Sequence, residues 1–416
     1  MNRIKGIVLG AGGRGQFTYG EYALKNPQDI QIIAVAEPNK ERREQFVKDH
    51  KIESKNVFTD WKDVFKREKF ADLVCVCTSD MMHLEPSLVA LDKGYDLLLE
   101  KPISPTYEEC EEIANKAKEK NASVAIAHVL RYTPFFNTIK NLIDEGKLGK
   151  VVGIDLVENI GHIHYSHSFV RGIWRNEDVS APMILAKSCH DMDILLYLIG
   201  SDCTSLTSYG SKGYFSKKNK PKGAPHRCLE GCPVREECPY YSPKIYLTGN
   251  VDWPVNAVSN DLSAEGIKKA LQTNNYGVCV FDSDNNMTEH QNVIMKFENN
   301  VNASFTMSAF TSEMTRGIKI MLEQGEIVGD MLQDQIDVVN FSTNEKFSIS
   351  HVASNSSGHG GGDDAFMSDL VKHLKDKKNY PLKTSIEIAL QSHKMALAAH
   401  DSMKNNKCIN LKDYSK

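Results

Sequence analysis

Two residues far apart in this 416-residue chain have the makings of a proton-handling pair, Lys101 and His190. Lys101 follows the apolar run Asp96-Leu97-Leu98-Leu99 and stands in Glu100-Lys101-Pro102, where the proline stiffens the turn that aims it. A lysine at the carboxyl end of a strand can hydrogen-bond a hydroxyl and help move its proton when desolvation lowers its pKa. His190 lies between Pro182 and Gly200, a stretch with the proline-first, glycine-last punctuation of one helix. In such a helix Leu185, Met192, Leu195, Leu196 and Ile199 make an apolar stripe. Lys187, His190, Asp191 and Ile194 fall at i, i+3, i+4 and i+7 on another face. Leu or Ile would suit that face better if it were simply core. His190 has the intrinsic pKa of a general acid or base, with Asp191 or Asp193 to hold its ring.

A second constellation handles phosphate. Ile4-Lys5-Gly6-Ile7-Val8-Leu9 reads as a strand that enters Gly10-Ala11-Gly12-Gly13-Arg14-Gly15, and a helical pattern follows. That is G-x-G-x-x-G between strand and helix, the context that gives the motif its mechanism. Gly10 allows the tight turn, Gly12 lets backbone amides approach a pyrophosphate, and Gly15 lets helix and strand pack closely. The phosphates would sit at the positive end of the helix. The next apolar strand, 31–36, ends at Glu37, placed to take a ribose diol and to repel a 2′-phosphate. NAD is therefore expected over NADP, although Arg42 and Arg43 follow closely.

A third group is aromatic and basic. Gly161 to Arg175 contains His162, His164, His167, Arg171, Trp174 and Arg175. If the segment is extended, His162 and His164 share a face, a pattern a metal hydrolase could use. No carboxylate-rich set accompanies it, so the dinucleotide context prevails. Further on, Cys228, Cys232 and Cys238 have the spacing C-x3-C-x5-C in a polar stretch. With His226 or another cysteine they would hold a tetrahedral structural zinc; three free thiols are the alternative. Gly358-His359-Gly360-Gly361-Gly362 precedes Asp363 and Asp364, which suit a helix start.

These residues need elements to position them. Residues 1–127 alternate strands (4–9, 31–36, 71–77, 95–99, 122–127) with helices (14–25, 39–49, 61–67, 81–93, 106–119), which predicts a mostly parallel sheet. From 128 to 416 a helix at 134–145 and strands at 150–158, 291–298, 301–310 and 317–323 predict an α+β domain with a largely antiparallel sheet open on one face. A polar, cysteine-containing insertion is expected at about 205–285. The 50 basic and 54 acidic residues lack the charge excess of a nucleic-acid binder. No apolar run reaches a membrane span. A start without a secretory core and ten scattered cysteines suit a reducing cytoplasm.

Taken in order, the glycine loop, Thr78 with His83, Glu100-Lys101-Pro102, Arg131-Tyr132-x-Pro134 and His190-x-x-Asp193 resemble the glucose–fructose oxidoreductase, inositol dehydrogenase and MocA group, Gfo/Idh/MocA. The resemblance spans nearly all of the chain apart from the cysteine insertion. It implies an N-terminal Rossmann domain, a C-terminal α+β domain that often mediates dimers or tetramers, and NAD(P)-linked chemistry at a sugar or polyol carbon. It makes Lys101 and His190 the catalytic residues and Asp193 the acid three residues on. Gly10, Gly12, Gly13, Arg14, Gly15, Glu37, Thr78, His83, Glu100 and Lys101 become the cofactor set. His164, His167, Arg171, Trp174, Arg175, Lys187 and Asp191 become candidates for a pocket suited to a sugar, polyol or sugar acid. One departure is Ala186, where many members carry a carboxylate four residues before the histidine. An NAD-dependent glycosidase working by transient oxidation and elimination is the second reading. A non-enzymatic dinucleotide or sugar sensor is the third, and the presence of both Lys101 and His190 argues against it.

Overall fold

The computed structural model of the chain describes residues 3–352 and 359–414. Six strands make the first sheet: β1 (Ile4–Leu9), β2 (Ile30–Ala36), β3 (Val57–Phe58), β4 (Leu73–Val76), β5 (Asp96–Leu99) and β6 (Val124–Ile126). All pairs are parallel, in the order β3-β2-β1-β4-β5-β6. β4 is buried throughout and β1 and β5 nearly so, as a sheet covered by helices on both faces requires. The strand order reverses between β1 and β4, so the crevice for a ligand opens at their carboxyl ends. The glycine loop leaves β1 there, and Glu100-Lys101 leaves β5 on the same edge.

The second sheet has nine strands: β7 (Val151–Asn159), β8 (Cys203–Ser211), β9 (His290–Phe297), β10 (Asn302–Ser308), β11 (Thr315–Leu322), β12 (Gly325–Asp330), β13 (Gln335–Asn340), β14 (Lys346–Ser350) and β15 (Ile409–Asn410). Their order is β14-β13-β12-β11-β7-β10-β9-β8-β15, and only β10 with β7 pairs in parallel. β9 alternates buried and exposed residues along its length, the period-2 signal of a half-covered sheet. The covered face packs on the helices Cys189–Ile199 and Ile386–Asn405. The other face leaves Tyr209, Ile294 and Val328 exposed.

Three sequence expectations need correction, and one feature of the packing was not foreseen. The stretch 182–200 is two helices, Met183–Ala186 and Cys189–Ile199, because the chain leaves helical geometry at Lys187 and Ser188. The stretch holding His162 and His164 is not extended. It is a short helix His162–Tyr165 running into the wide-turned helix Ser166–Arg171, so the two histidines share no strand face. The insertion begins later than 205, because residues 203–211 pair with β9 as β8. Finally, the late helices Gly362–Lys375 and Ile386–Asn405 return to the first sheet. Phe366, Met367, Leu370 and Val371 share a core with Val8 and Ile32, and Ile386 and Ala389 share the opposite core with Ile7 and Leu97. A cut at residue 127 thus does not separate the packing of the two lobes. Gly358 lies outside the described residues.

Candidate active site

The phosphate cradle has the shape its glycines require. Gly10 sits at φ +91°, where a Cβ would stand 2.6 Å from the Cys77 carbonyl. A Cβ on Gly15 would stand 2.1 Å from the Gly10 carbonyl. Gly12 and Gly13 have no heavy atom within 4 Å of that position, so the loop presents open backbone to the crevice. That combination fits a pyrophosphate. Glu37, 5 % exposed, takes the Ala11 amide on one carboxylate oxygen and the Asn39 amide on the other, each at 2.8 Å. Each oxygen retains acceptor capacity for a ribose hydroxyl. Arg43 donates to the Glu37 and Pro38 carbonyls, which commits its guanidinium to the loop.

Arg14 extends the cradle toward the second lobe. Its Nε donates to Glu100 Oε1 at 2.5 Å, and its Nη2 donates to Tyr19 Oη and Asp363 Oδ1, both at 2.9 Å. Burial pushes Glu100 up, but the Arg14 charge and the bonds from Arg14 and Tyr19 hold it below the usual carboxylate range. Glu100 and Arg14 therefore organise the edge of the crevice as a half-buried ion pair. Thr78 Oγ1 donates to the Met82 carbonyl. His83 is buried, with Nδ1 2.8 Å from the Pro102 carbonyl and Nε2 3.1 Å from the Thr78 carbonyl. Its ring ties two crevice loops together rather than facing a ligand.

Lys101 and His190 come from different lobes. The Lys101 Nζ donates to the Ala186 carbonyl at 2.6 Å, across the boundary between sheets. Where the resemblance implies a carboxylate side chain at Ala186, this chain offers a backbone carbonyl to its lysine. The His190 ring is 4 % exposed; its Nδ1 is sealed from solvent, and among the described residues it has no hydrogen-bond partner. Its ring centroid lies 5.6 Å from that of His128 and 5.9 Å from that of His359. His359 Nδ1 lies 3.1 Å from Asp363, the carboxylate that also holds Arg14. A continuous chain thus runs from the glycine loop to His190. Burial, reinforced by Lys101, His128, His359 and Arg316, pushes the His190 pKa well down, so the imidazole is neutral at ordinary pH.

The two aspartates expected to hold His190 serve other partners. Asp193 forms a bidentate pair with Arg131, Nε at 2.6 Å and Nη2 at 2.8 Å, and its Oδ1 is 3.1 Å from His128 Nδ1, off hydrogen-bond alignment. Asp191 pairs with Arg316 from β11 at 2.8 and 3.0 Å. Asp191 and Asp193 are two positions apart and so lie on opposite sides of the helix, and here each has a buried arginine as its partner. Arg316 also reaches Glu158 of β7 at 2.6 Å, and Glu158 accepts from Ser188 Oγ at 2.7 Å. Lys187 Nζ lies 3.8 Å from Glu158. Burial lowers Lys187 to about 8, with Glu158 opposing and Arg316 and Lys101 assisting. Burial raises Asp191 to about 7, against the pull of Arg316 and with the push of Glu158. Sequence spacing located Lys187 and Asp191. It missed Arg316 and Glu158, which lie on strands whose alternation looks ordinary.

The aromatic and basic segment divides. His164 Nδ1 lies 2.8 Å from Met314 Sδ, and burial with Lys187, His167 and Lys101 nearby lowers it to about 2. Trp174 is 37 % exposed and its indole reaches Asp80, at the crevice edge beyond β4. His167 turns instead to Tyr246 Oη at 3.0 Å and stacks on Tyr276. Arg171 is fully buried under the insertion, and Arg175 pairs with Asp284. Of the pocket candidates, His164, Trp174 and Lys187 lie near the crevice; His167, Arg171, Arg175 and Asp191 face protein.

Two metal questions have structural answers. Among the described residues, one set of His, Cys, Asp and Glu brings three ligand atoms within 4.8 Å of one another, namely His128, Cys189 and His393. His393 is already spent, accepting from the Ile103 amide at Nε2 and facing the Ala389 carbonyl at Nδ1. The three sulfurs of Cys228, Cys232 and Cys238 do not converge in that way, and His226 turns to Asp282. The expected zinc site is therefore not closed as Cys3His.

Comparison with known proteins settles the class. Residues 4–128 match the profile described as "Oxidoreductase family, NAD-binding Rossmann fold" and residues 140–411 match "Oxidoreductase family, C-terminal alpha/beta domain". The chain belongs to the Gfo/Idh/MocA family of NAD-binding oxidoreductases. It is 22 % identical over 371 residues to YteT of Bacillus subtilis (strain 168), named only as an oxidoreductase, covering 84 % of each chain. It is 22 % identical over 287 residues to the scyllo-inositol 2-dehydrogenase (NAD(+)) of the same organism, covering 66 % of this chain and 69 % of that one. A solved levoglucosan dehydrogenase, in complex with NADH and L-sorbose, shares the fold at a TM-score of 0.74 and 16 % identity, over 99 % of both chains. No helix among the described residues is long and apolar enough to cross a membrane.

Proposed function

We propose that this enzyme transfers hydride between NAD and a hydroxyl-bearing carbon of a sugar, polyol or sugar acid. The observation that carries the reading is the bond from Lys101 to the Ala186 carbonyl, four residues before His190, beside the glycine-loop crevice. When bound, the nicotinamide supplies the hydride acceptor or donor. The chain's own residues handle the proton. His190, kept neutral, is ready to accept the proton of a substrate hydroxyl at Nε2, and the Lys101 ammonium stabilises the developing oxyanion. Trp174 and His164 offer faces for a carbon skeleton, and the Lys187 ammonium suits an acid group on the substrate. Glu37 supports NAD over NADP, because a 2′-phosphate would meet a buried carboxylate. The exposed sheet face with Tyr209, Ile294 and Val328 supports self-association as a dimer or tetramer, and the free cysteines support a reducing cytoplasm.

The test is nicotinamide absorbance at 340 nm over a panel of polyols, sugar acids and aryl glycosides. Net NADH formation is the expected outcome. Aglycone release without net NADH points to the eliminating glycosidase, and tight NAD binding with no turnover points to a sensor. Lys101→Ala should cut kcat by about 10²- to 10⁴-fold while leaving NAD affinity unchanged. Unaltered kcat would remove Lys101 from the mechanism.

A further inference from the structure

The insertion between β8 and β9 carries a feature that hydride transfer does not use. Four cysteines from two separate stretches, Cys228, Cys232 and Cys238 on one and Cys279 on the other, line a single small cavity. An isolated pairing of Arg227 with Val278 joins the stretches, with the Cys228 amide on the Gly277 carbonyl and the Cys279 amide on the His226 carbonyl. Apolar side chains, among them Val234, Tyr240, Val280 and Phe281, make the remaining wall. No charged side chain lines this space.

The second observation is Arg171. It is 1 % exposed and has no carboxylate within ion-pair distance among the described residues. Its Nε donates to the Val278 carbonyl, and its Nη2 donates to the Tyr240 carbonyl and, at 3.7 Å, to the Cys228 sulfur. Nη1 is buried without a partner. Asp282, the acid nearest in sequence to Cys279, is committed to Lys220 and His226. A buried guanidinium needs a counter-charge, and carbonyl dipoles do not supply a full one. The groups left to carry it are the thiols.

We propose that Cys228, Cys232, Cys238 and Cys279 hold a thiophilic metal centre as four thiolates, with Arg171 as its buried counter-charge. Each thiol passes its proton to solvent as its sulfur bonds the metal; with zinc no oxidation state changes, and a four-iron cluster takes two ferric and two ferrous ions with four sulfides, so no electron is drawn from the protein. The centre is anionic overall, which matches the guanidinium beside it. A single tetrahedral ion at about 2.3 Å from each sulfur needs the sulfurs about 3.8 Å apart. The four do not converge that closely. A zinc ion thus requires the 228–238 loop to close inward, whereas an iron–sulfur cluster, also held by four cysteines, spans a wider set. Either centre would be structural. It ties the loop to the base of the insertion, whose own apolar core is small: Ile245, Tyr246, Val255, Val258, Ile267 and Leu271.

The experiment is metal and acid-labile sulfide analysis of the full chain, purified without oxygen or chelator, then repeated after anaerobic incubation with zinc alone or with equal amounts of ferrous and ferric iron and sulfide. The expected result is about one zinc, or about four iron with matching sulfide, per chain. Sulfur-only coordination should appear in the X-ray absorption spectrum of the bound metal. Cys279→Ser should lower the metal content at least fivefold, while His226→Ala and Cys408→Ser should leave it unchanged. If Cys279→Ser does not fold, the wild-type stoichiometry and its absorption spectrum decide the matter. A wild-type chain that takes up neither metal overturns the proposal. So do two disulfides among the four residues, or metal retained in full by folded Cys279→Ser. NAD titration of the same samples reads the cofactor site separately.

Discussion

At the scale of single residues, the site is built from charges that burial has moved off their ordinary values. His190 is held neutral by burial and by the lysine beside it, so a proton acceptor is available without a carboxylate partner. Lys187 is the residue whose titration an assay can see. Its pKa is lowered to about 8, so it is cationic below that pH and neutral above it. If it grips an acid group, KM for a sugar acid should stay flat to about pH 8 and then rise by up to tenfold per pH unit. KM for a neutral polyol should not follow. Lys187→Met should raise KM for the acid substrate at pH 7 and abolish the pH dependence. Steady-state kinetics from pH 6 to 9.5 on one acidic and one neutral substrate would check this. Parallel profiles for the two would take Lys187 off the substrate.

At the scale of elements, strand, glycine loop and acid were legible because each obeys a local rule. An apolar run, a turn that tolerates no Cβ and a carboxylate at the next strand end need no tertiary information. The glycines then predict a contrast between two substitutions. Gly15→Ala places a methyl 2.1 Å from the Gly10 carbonyl, so the loop itself must shift. It should lower thermal stability and weaken NAD binding together. Gly12→Ala meets nothing in the free protein. It should leave the melting temperature within about 1–2 °C and still weaken NAD binding tenfold or more, because its methyl occupies space the pyrophosphate needs. Calorimetric titration and thermal melts of the two variants test the pair, and equal loss of stability in both would contradict it. What was not legible at this scale was the helix around His190. Its heptad-like spacing runs from 182 to 200 without interruption, but the buried partners of Lys187 and Asp191 favour a break at Lys187–Ser188. Those partners, Glu158 and Arg316, are remote in sequence, and no local pattern announces them.

At the scale of the whole molecule, the late helices and β15 escaped sequence reading because what stabilises them is long-range. Helix Gly362–Lys375 covers the first sheet from nearly the other end of the chain, which also explains why Asp363 can hold Arg14 of the glycine loop. This interleaving buries histidines from both lobes against one another: His128, His190 and His393 lie in one row, with ring centroids 5.6 and 5.4 Å apart. Burial, with His128 adding, lowers His393 to about 3, and burial with Arg171 lowers His167 to about 4. The folded chain therefore excludes protons that the unfolded chain binds below pH 6.5. By linkage, stability due to these neutral rings is fully present above pH 6.5 and is lost as pH falls toward their folded values. The slope is about 1.4 kcal/mol per pH unit for each proton taken up on unfolding. With His190, His393 and His167 losing this stabilisation, and with Asp191, raised to about 7, opposing by one proton, the urea midpoint should fall from pH 6 to 4.5. His393→Gln, which retains a polar side chain for the Ile103 amide, should make that decline shallower by up to about one proton's slope. The same unfolding curves with and without the substitution give the answer. A decline unaltered in His393→Gln would mean that the acid sensitivity of this fold comes from its carboxylates rather than from the row of rings between its lobes.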